Sequence, residues 1–108
     1  MIKNKISLFP LAIVHQNKIF KKHILIVDGE KITLQPFQQE CESTKFISAI
    51  IIIANKNVLS FMNTLPIIEK AFSNLEDILL FLQNNNLYTT NDEEPTLISA
   101  DSSGYHVL

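Results

Sequence analysis

Residues 45–54 read Lys-Phe-Ile-Ser-Ala-Ile-Ile-Ile-Ile-Ala, and this stretch decides the fold. A short apolar run without alternation is typical of a strand that is buried on both faces. A helix suits the run less well, because β-branched residues lose side-chain freedom in helices. The same run would promote aggregation if it were exposed. We therefore expect residues 46–54 to form a central strand that helices or another subunit cover, after a polar loop over residues 37–44.

The residues before this loop predict a β-meander. Residues 8–14 and residues 18–27 are rich in Ile, Leu and Val, and each stretch predicts one strand. Asp28-Gly29 predicts a tight hairpin turn, because glycine accepts a positive φ. Residues 31–35 then alternate between polar and apolar side chains, which is typical of a return strand with one buried face.

After the isoleucine run, the apolar residues recur with the spacing that is typical of a helix. Residues 65–72 predict a helix with Pro66 in its first turn, and Ser73-Asn-Leu-Glu76 is a capping-box pattern that predicts the start of a second helix. Asn84-Asn-Asn86 should end that helix, because asparagine tolerates the left-handed conformation. The expected core face of the second helix has the i, i+3, i+4, i+7 spacing and consists of Leu75, Ile78, Leu79 and Leu82.

The last part of the chain predicts a short strand over residues 87–90 and a hairpin. Its strands are residues 96–100 and 105–108, joined by the turn Asp101-Ser-Ser-Gly104. The predicted class is α+β, with residues 1–108 as a single domain. A mostly antiparallel sheet, made of the N-terminal β-meander and the C-terminal hairpin, is expected to pack against two or three helices.

Composition and charge exclude several classes of protein. The 108 residues include 46% hydrophobic residues, nine lysines without arginine, and a net charge of −2. Because nucleic-acid recognition usually requires a basic surface and arginine, we expect no nucleic-acid partner. The charge is uneven, with +4 over residues 1–35 (six lysines, two acids) and −6 over residues 36–108 (three lysines, nine acids). Such asymmetry could let two copies meet head to tail.

The chain predicts a soluble cytoplasmic protein without a membrane partner. Its one cysteine, Cys41, excludes an intrachain disulfide and a cysteine-based zinc site. Residues 6–14 resemble the apolar part of a signal peptide, but they contain Pro10 and lack a small-residue cleavage site after them. The longest apolar run is far shorter than the roughly 20 residues that span a bilayer.

The candidate chemical groups do not form a known motif. None of His15, His23 and His106 has the local spacing of a metal site. One alternative is a small metal-dependent hydrolase in which these histidines converge in space with Asp28 or Asp101. On the residues alone, we expect no catalytic, cofactor-binding or metal-binding residue, and no cofactor.

Three other groups have simple structural interpretations. Cys41 lies between Glu40 and Glu42, whose charges disfavour a thiolate nucleophile. Asp92-Glu-Glu94 lacks the glycine and the ligand alternation of a calcium loop, which indicates a solvated acidic loop. Ser102-Ser-Gly-Tyr-His106 brings hydroxyl groups near an imidazole but lacks the G-x-S-x-G elbow, so we interpret it as a turn.

The stretch from Ala12 to Phe46, and on through residue 53, resembles the start of amidohydrolase-superfamily enzymes. Those chains open with two strands and a hairpin, and Ile26-Val-Asp-Gly-Glu-Lys-Ile32 fits the hairpin. In the family a Pro-Gly turn and a metal-binding H-x-H follow, whereas this chain has Ala54-Asn-Lys-Asn57. The resemblance therefore implies only the accessory β-sandwich of such an enzyme, without its catalytic barrel, its metal ligands or its activity.

The expected function is that of a small non-enzymatic domain that binds an unknown protein partner or associates with itself. A homodimer through a sheet edge or a helix face would cover the apolar strand and the apolar belt of the second helix. A further alternative is a small carrier of apolar ligands, which would need a pocket of roughly 300 Å³ or more between sheet and helices.

Overall fold

The computed structural model describes residues 6–29, 31–37, 44–63, 75–89, 94–101 and 103–108. The helices within them are α1 (Leu75–Asn84) and a 3₁₀ helix (Lys56–Phe61). The strands are β1 (Ile6–Phe9), β2 (Ala12–His15), β3 (Lys18–Phe20), β4 (His23–Asp28), β5 (Lys31–Pro36), β6 (Thr44–Phe46), β7 (Ile50–Ala54), β8 (Thr96–Asp101) and β9 (Gly104–Val107).

The strands form two sheets. An outer sheet has the order β5-β4-β1-β6, and a central sheet has the order β3-β2-β7-β8-β9. Neighbouring strands are antiparallel except for β1 with β6 and β2 with β7, which are parallel. One face of the central sheet packs against the outer sheet, and its other face packs against α1 and the 3₁₀ helix. The described part of the chain therefore has three layers, which are the outer sheet, the central sheet, and the layer formed by α1 and the 3₁₀ helix.

Two predicted strands are each split where the chain passes from one sheet to the other. The predicted strand 8–14 is interrupted at Pro10, which has no N–H to donate, and the predicted strand 18–27 is interrupted at Lys22, whose φ is 59°. β1 pairs with β4 through Leu8 and Leu25, and β2 pairs with β3 through Ile13 and Phe20. Both strand pairs have the same register, so the pairing before the interruption continues after it. The first two predicted strands are therefore one long hairpin that is bent between two sheets.

The tip of this long hairpin is a two-residue turn at Gln16-Asn17. Both residues have positive φ values, 48° and 65°, which is the conformation of a type I′ turn. The predicted turn at Asp28-Gly29 is confirmed, because Asp28 pairs with Lys31 and Gly29 has a φ of 65°.

The predicted central strand is confirmed, although it begins at Ile50 rather than at residue 46. All five residues of β7 have 0% exposure. Ile51 and Ile53 face the outer sheet, whereas Ile50, Ile52 and Ala54 face α1. A single copy of the chain therefore covers the isoleucine-rich strand on both sides.

The predicted core face and end of the second helix are confirmed. Leu75, Ile78 and Leu82 are buried against the central sheet, and Leu79 packs beside them. The helix ends at Asn84, and Asn86 has the expected left-handed conformation, with a φ of 53°.

The predicted architecture, one mostly antiparallel sheet against two or three helices, is wrong. The described residues are mostly strand, they form two sheets, and they include one α-helix and one short 3₁₀ helix. The reason is that the long strands bend, so that the outer sheet covers the face of β7 that we had assigned to further helices. The predicted helix over residues 65–72 and the capping residue Ser73 lie outside the described residues.

The C-terminal hairpin is confirmed as β8 and β9 around a turn that includes Ser103. The predicted strand over residues 87–90 is represented by a single bridge between Ala54 and Tyr88. Thr44, which we placed in a loop, belongs to β6, and the rest of that loop from residue 38 lies outside the described residues.

Candidate functional site

The structure places the three histidines on different strands. His15 ends β2, His23 begins β4, and His106 lies on β9. His23 Nδ1 is 2.9 Å from the carbonyl oxygen of Lys21, and its ring contacts that of Phe20 edge-on. In the part of the chain that the structure describes, His, Cys, Asp and Glu side chains do not gather in any group of three that could hold a metal ion.

The turn between β8 and β9 brings an aspartate, a serine and a histidine together. The Ser103 hydroxyl donates to Asp101 Oδ1 at 2.6 Å, and its oxygen is 3.4 Å from His106 Nε2. The Ser103 side-chain and backbone hydrogen bonds hold the pKa of Asp101 below its ordinary value. A catalytic serine instead gives its proton to the histidine, which the aspartate orients. This arrangement is therefore a side-chain-stabilised turn, as the sequence indicated.

Two buried polar atoms lack a hydrogen-bond partner among the described residues. They are His15 Nδ1 and Thr89 Oγ1. Val14 pairs with Ile52, so the next residue of β2, His15, lies level with Ile53. Tyr88 forms an antiparallel bridge with Ala54, so Thr89 also lies level with Ile53. Burial also lowers the pKa of His15. Two neutral polar groups at the end of an apolar core can hold a water molecule, but they do not form a catalytic pair.

A cleft of about 290 Å³ opens at one end of the molecule, between the two sheets. Three of its side chains, Leu59, Val107 and Leu108, are about half exposed. The carrier hypothesis placed a pocket between sheet and helices, but there the side chains of Ile52 and Ile78 have 0% exposure. The cleft is lined by Val27, Gly29, Ile32, Leu59, Glu94, Pro95, Thr96, Leu97, Val107 and Leu108.

A cluster of phenylalanines lies on the outer sheet. The ring centroids of Phe9 and Phe37 are 4.5 Å apart and stacked, and that of Phe46 lies 5.1 Å from Phe9. Beside the rings is a hollow of about 330 Å³, which Leu11 and Ile47 help to line. We call the four residues Phe9, Leu11, Phe37 and Phe46 the aromatic face, whereas Ile47 also packs against the core between the sheets.

Strand alternation explains why the rings point away from the core. Leu8 pairs with Leu25, whose side chain lies between the sheets, so the next residue, Phe9, points to the opposite side. Phe46 is the cross-strand partner of Phe9 and shares its side of the sheet. Among the described elements, α1 and the 3₁₀ helix lie on the far side of the central sheet. The aromatic face is therefore left open, with Phe46 55% and Leu11 49% exposed.

Two lysines lie beside the aromatic face. The backbone carbonyl of Lys22 accepts a hydrogen bond from Phe37 N–H at 2.8 Å, which places Lys22 beside the rings. Lys21 precedes it at the same bend, and both of these lysines are exposed. Lys45 pairs with Leu8 on β1, so strand alternation directs its side chain to the opposite side of the outer sheet. The chain between Phe37 and Thr44 also carries two glutamates, at positions 40 and 42, which lie outside the described residues.

The sequence interpretation missed the aromatic face. It assigned Phe37 to a polar loop and Phe46 to the buried strand, and it gave Phe9 no separate role. The three rings meet only because β1 pairs with β6 and because the chain bends beside Lys22. The one local signal was a phenylalanine directly after Pro36, in a stretch that is otherwise polar.

Comparison with protein-family models, with curated proteins and with solved structures finds no match for this chain. The resemblance of its first half to amidohydrolases accordingly stays a prediction. Across the described residues, no helix is both long enough and apolar enough to cross a membrane.

Proposed function

We propose that this chain is a non-enzymatic domain that associates with further copies of itself through the aromatic face. The observation that carries the proposal is the exposure of Phe46, on a sheet surface over which no described element packs, and of Leu11, which lines the hollow beside the rings. Large apolar side chains that are grouped on a surface mark sites of association more often than scattered ones do.

The isoleucine strand and the core face of α1, which the sequence suggested that self-association would cover, are already buried within one copy. The isoleucine strand β7 is fully covered within one copy, so its side chains are not accessible to a partner. On α1, Leu75, Ile78 and Leu82 are likewise buried. Among the described residues of the outer sheet, the most exposed large apolar side chain is that of Phe46, which belongs to the aromatic face.

The composition of the face suits an interface of moderate strength. Aromatic residues at the centre and charged residues at the rim are the usual arrangement of a protein–protein contact. Burying one large apolar side chain contributes roughly 1.5–3 kcal/mol, whereas association costs at least about 4 kcal/mol in lost freedom of motion. Several of the four side chains must therefore be buried together, and we expect association that depends on protein concentration.

The first experiment measures molar mass by light scattering coupled to size exclusion, over a range of protein concentrations. The wild-type mass should rise above the monomer mass of 12.3 kDa as the concentration increases. Phe46→Ser and Leu11→Ser remove apolar contacts from the centre of the face, so each should weaken association by about tenfold or more.

Leu59→Ser is the matched control, because Leu59 is as exposed as Leu11 but lines the cleft between the sheets. It should associate as the wild type does, and circular dichroism should show that all three variants are folded. A wild-type chain that stays monomeric at every concentration would contradict the proposal. Undiminished association of Phe46→Ser and Leu11→Ser would contradict it equally.

A further inference from the structure

The outer surface of α1 carries one exposed apolar residue among acidic ones. Leu80 is 52% exposed and lies one helical turn after the exposed Glu76 and Asp77, with Asn84 one turn further on. The described part of α1 contains no basic residue. We call these four residues, Glu76, Asp77, Leu80 and Asn84, the helix face.

The helix face and the aromatic face lie on opposite sides of the three-layer molecule. The central sheet packs against α1 on one side and against the outer sheet on the other. The aromatic face points away from the core on the outer sheet, and the helix face points away from it on α1. One surface thus has an apolar centre beside lysines, and the other has an apolar centre beside carboxylates.

We propose that copies of the chain join head to tail, with the aromatic face of one copy docked on the helix face of the next. This inference rests on the proposed function and names the surface that the aromatic face meets. Leu80 would pack against the phenylalanine cluster, and Lys21 and Lys22 would lie opposite Glu76 and Asp77. Complementary charge favours this pairing and sets its orientation.

The alternative, in which two aromatic faces meet each other, brings like charges together. Four lysines, two from each copy, would then lie beside one apolar contact, and juxtaposed like charges disfavour association. The helix face instead offers carboxylates together with an exposed leucine. A contact between two different surfaces leaves one of each free at the ends, so assembly continues until a ring closes or the chain of copies ends.

The test uses two variants, each of which damages one face. Phe46→Ser removes an aromatic ring from the aromatic face, and Leu80→Lys replaces the apolar centre of the helix face with a residue that repels lysine. Lysine is a good helix former, so Leu80→Lys should leave α1 intact. Each variant alone should remain monomeric at a concentration where the wild type associates. Mixed in equal amounts, the two should form a heterodimer, because Phe46→Ser keeps its helix face and Leu80→Lys keeps its aromatic face.

Light scattering on the two variants and on their mixture distinguishes this inference from the proposed function. If Leu80→Lys associates as strongly as the wild type, or if the mixture stays monomeric while the wild type associates, the head-to-tail arrangement is wrong and the proposed function stands. If the wild type itself never associates, the proposed function fails as well. A heterodimer that forms only in the mixture supports both.

Discussion

At the scale of single residues, Asn55 links three parts of the fold. It is 5% exposed, and its Oδ1 accepts a hydrogen bond from Asn57 N–H at 3.0 Å at the start of the 3₁₀ helix. Its Nδ2 donates to the carbonyl oxygen of Asn86 at 2.8 Å, just after α1. The side chain therefore joins the end of β7 to the end of α1, and its loss would leave two partly buried backbone groups without this partner.

Replacing Asn55 with alanine should lower the free energy of unfolding by about 1–3 kcal/mol, the usual cost of buried polar groups left unpaired. Urea unfolding followed by circular dichroism measures the change. Asn57→Ala is the control, because the side chain of Asn57 is exposed and only its backbone N–H takes part in this hydrogen bond. Equal losses in the two variants would contradict the role assigned to Asn55.

His15 should make the stability of the fold depend on pH. Burial lowers the pKa of His15 below its ordinary value of 6.5, so the unfolded chain binds this proton more tightly than the folded chain does. The free energy of unfolding should therefore be highest above pH 6.5 and should decrease as the pH falls below it. His15→Gln should remove this contribution.

Urea unfolding at neutral pH and at about pH 5, across the range where histidine titrates, measures the effect. His23→Gln is the control variant, because His23 lies at the bend and has a hydrogen-bond partner in the carbonyl of Lys21. His15→Gln should lose less stability on acidification than the wild type does, and less than His23→Gln does. The same loss in His15→Gln as in the wild type would show that His15 is not the cause.

At the scale of elements, β7 organises the fold because its two sides belong to two different cores. Ile52 packs towards α1 and Ile53 towards the outer sheet, and both have 0% exposure. Ile52→Ala should therefore lower the free energy of unfolding by about 2–5 kcal/mol, through lost burial and the cavity that it leaves. Leu80→Ala, at an exposed position on α1, should change it by no more than about 0.5 kcal/mol. A small effect of Ile52→Ala would contradict the central position of β7.

The same elements show what the sequence could predict. Four consecutive isoleucines, the Asp28-Gly29 pair and the leucine spacing of α1 are local patterns, and each identified its element correctly. The bends near Pro10 and Lys22 were not predicted, because an apolar run has the same composition whether it stays in one sheet or passes into a second. The predicted number of helices is wrong for that reason, because the outer sheet covers the face of β7 on which the sequence predicts helices.

The candidate site was still less predictable than the fold. Phe9, Phe37 and Phe46 are far apart in the sequence and meet through a parallel strand pair and a bend, neither of which has a local signature. The turn at Asp101 was interpreted correctly because its residue types define it locally. The histidine site that we considered depended on convergence in space, which spacing along the chain cannot predict.

At the scale of the whole molecule, the three layers separate two unlike surfaces. The aromatic face lies beside exposed lysines on the outer sheet, and the helix face carries Glu76 and Asp77 beside Leu80. Because these surfaces point in opposite directions, one copy can use both at once. Self-association that uses two different faces is consistent with the opposite net charges of the two parts of the sequence.

The most direct test of this account is a dilution series followed by two-dimensional amide NMR of the wild-type chain. If copies associate as proposed, dilution should shift the amide signals near Phe9, Phe46 and Leu80 and leave those near Leu59 and Val107 in place. Signals that stay unchanged over the whole concentration range, or shifts confined to the cleft around Leu59 and Val107, would contradict it.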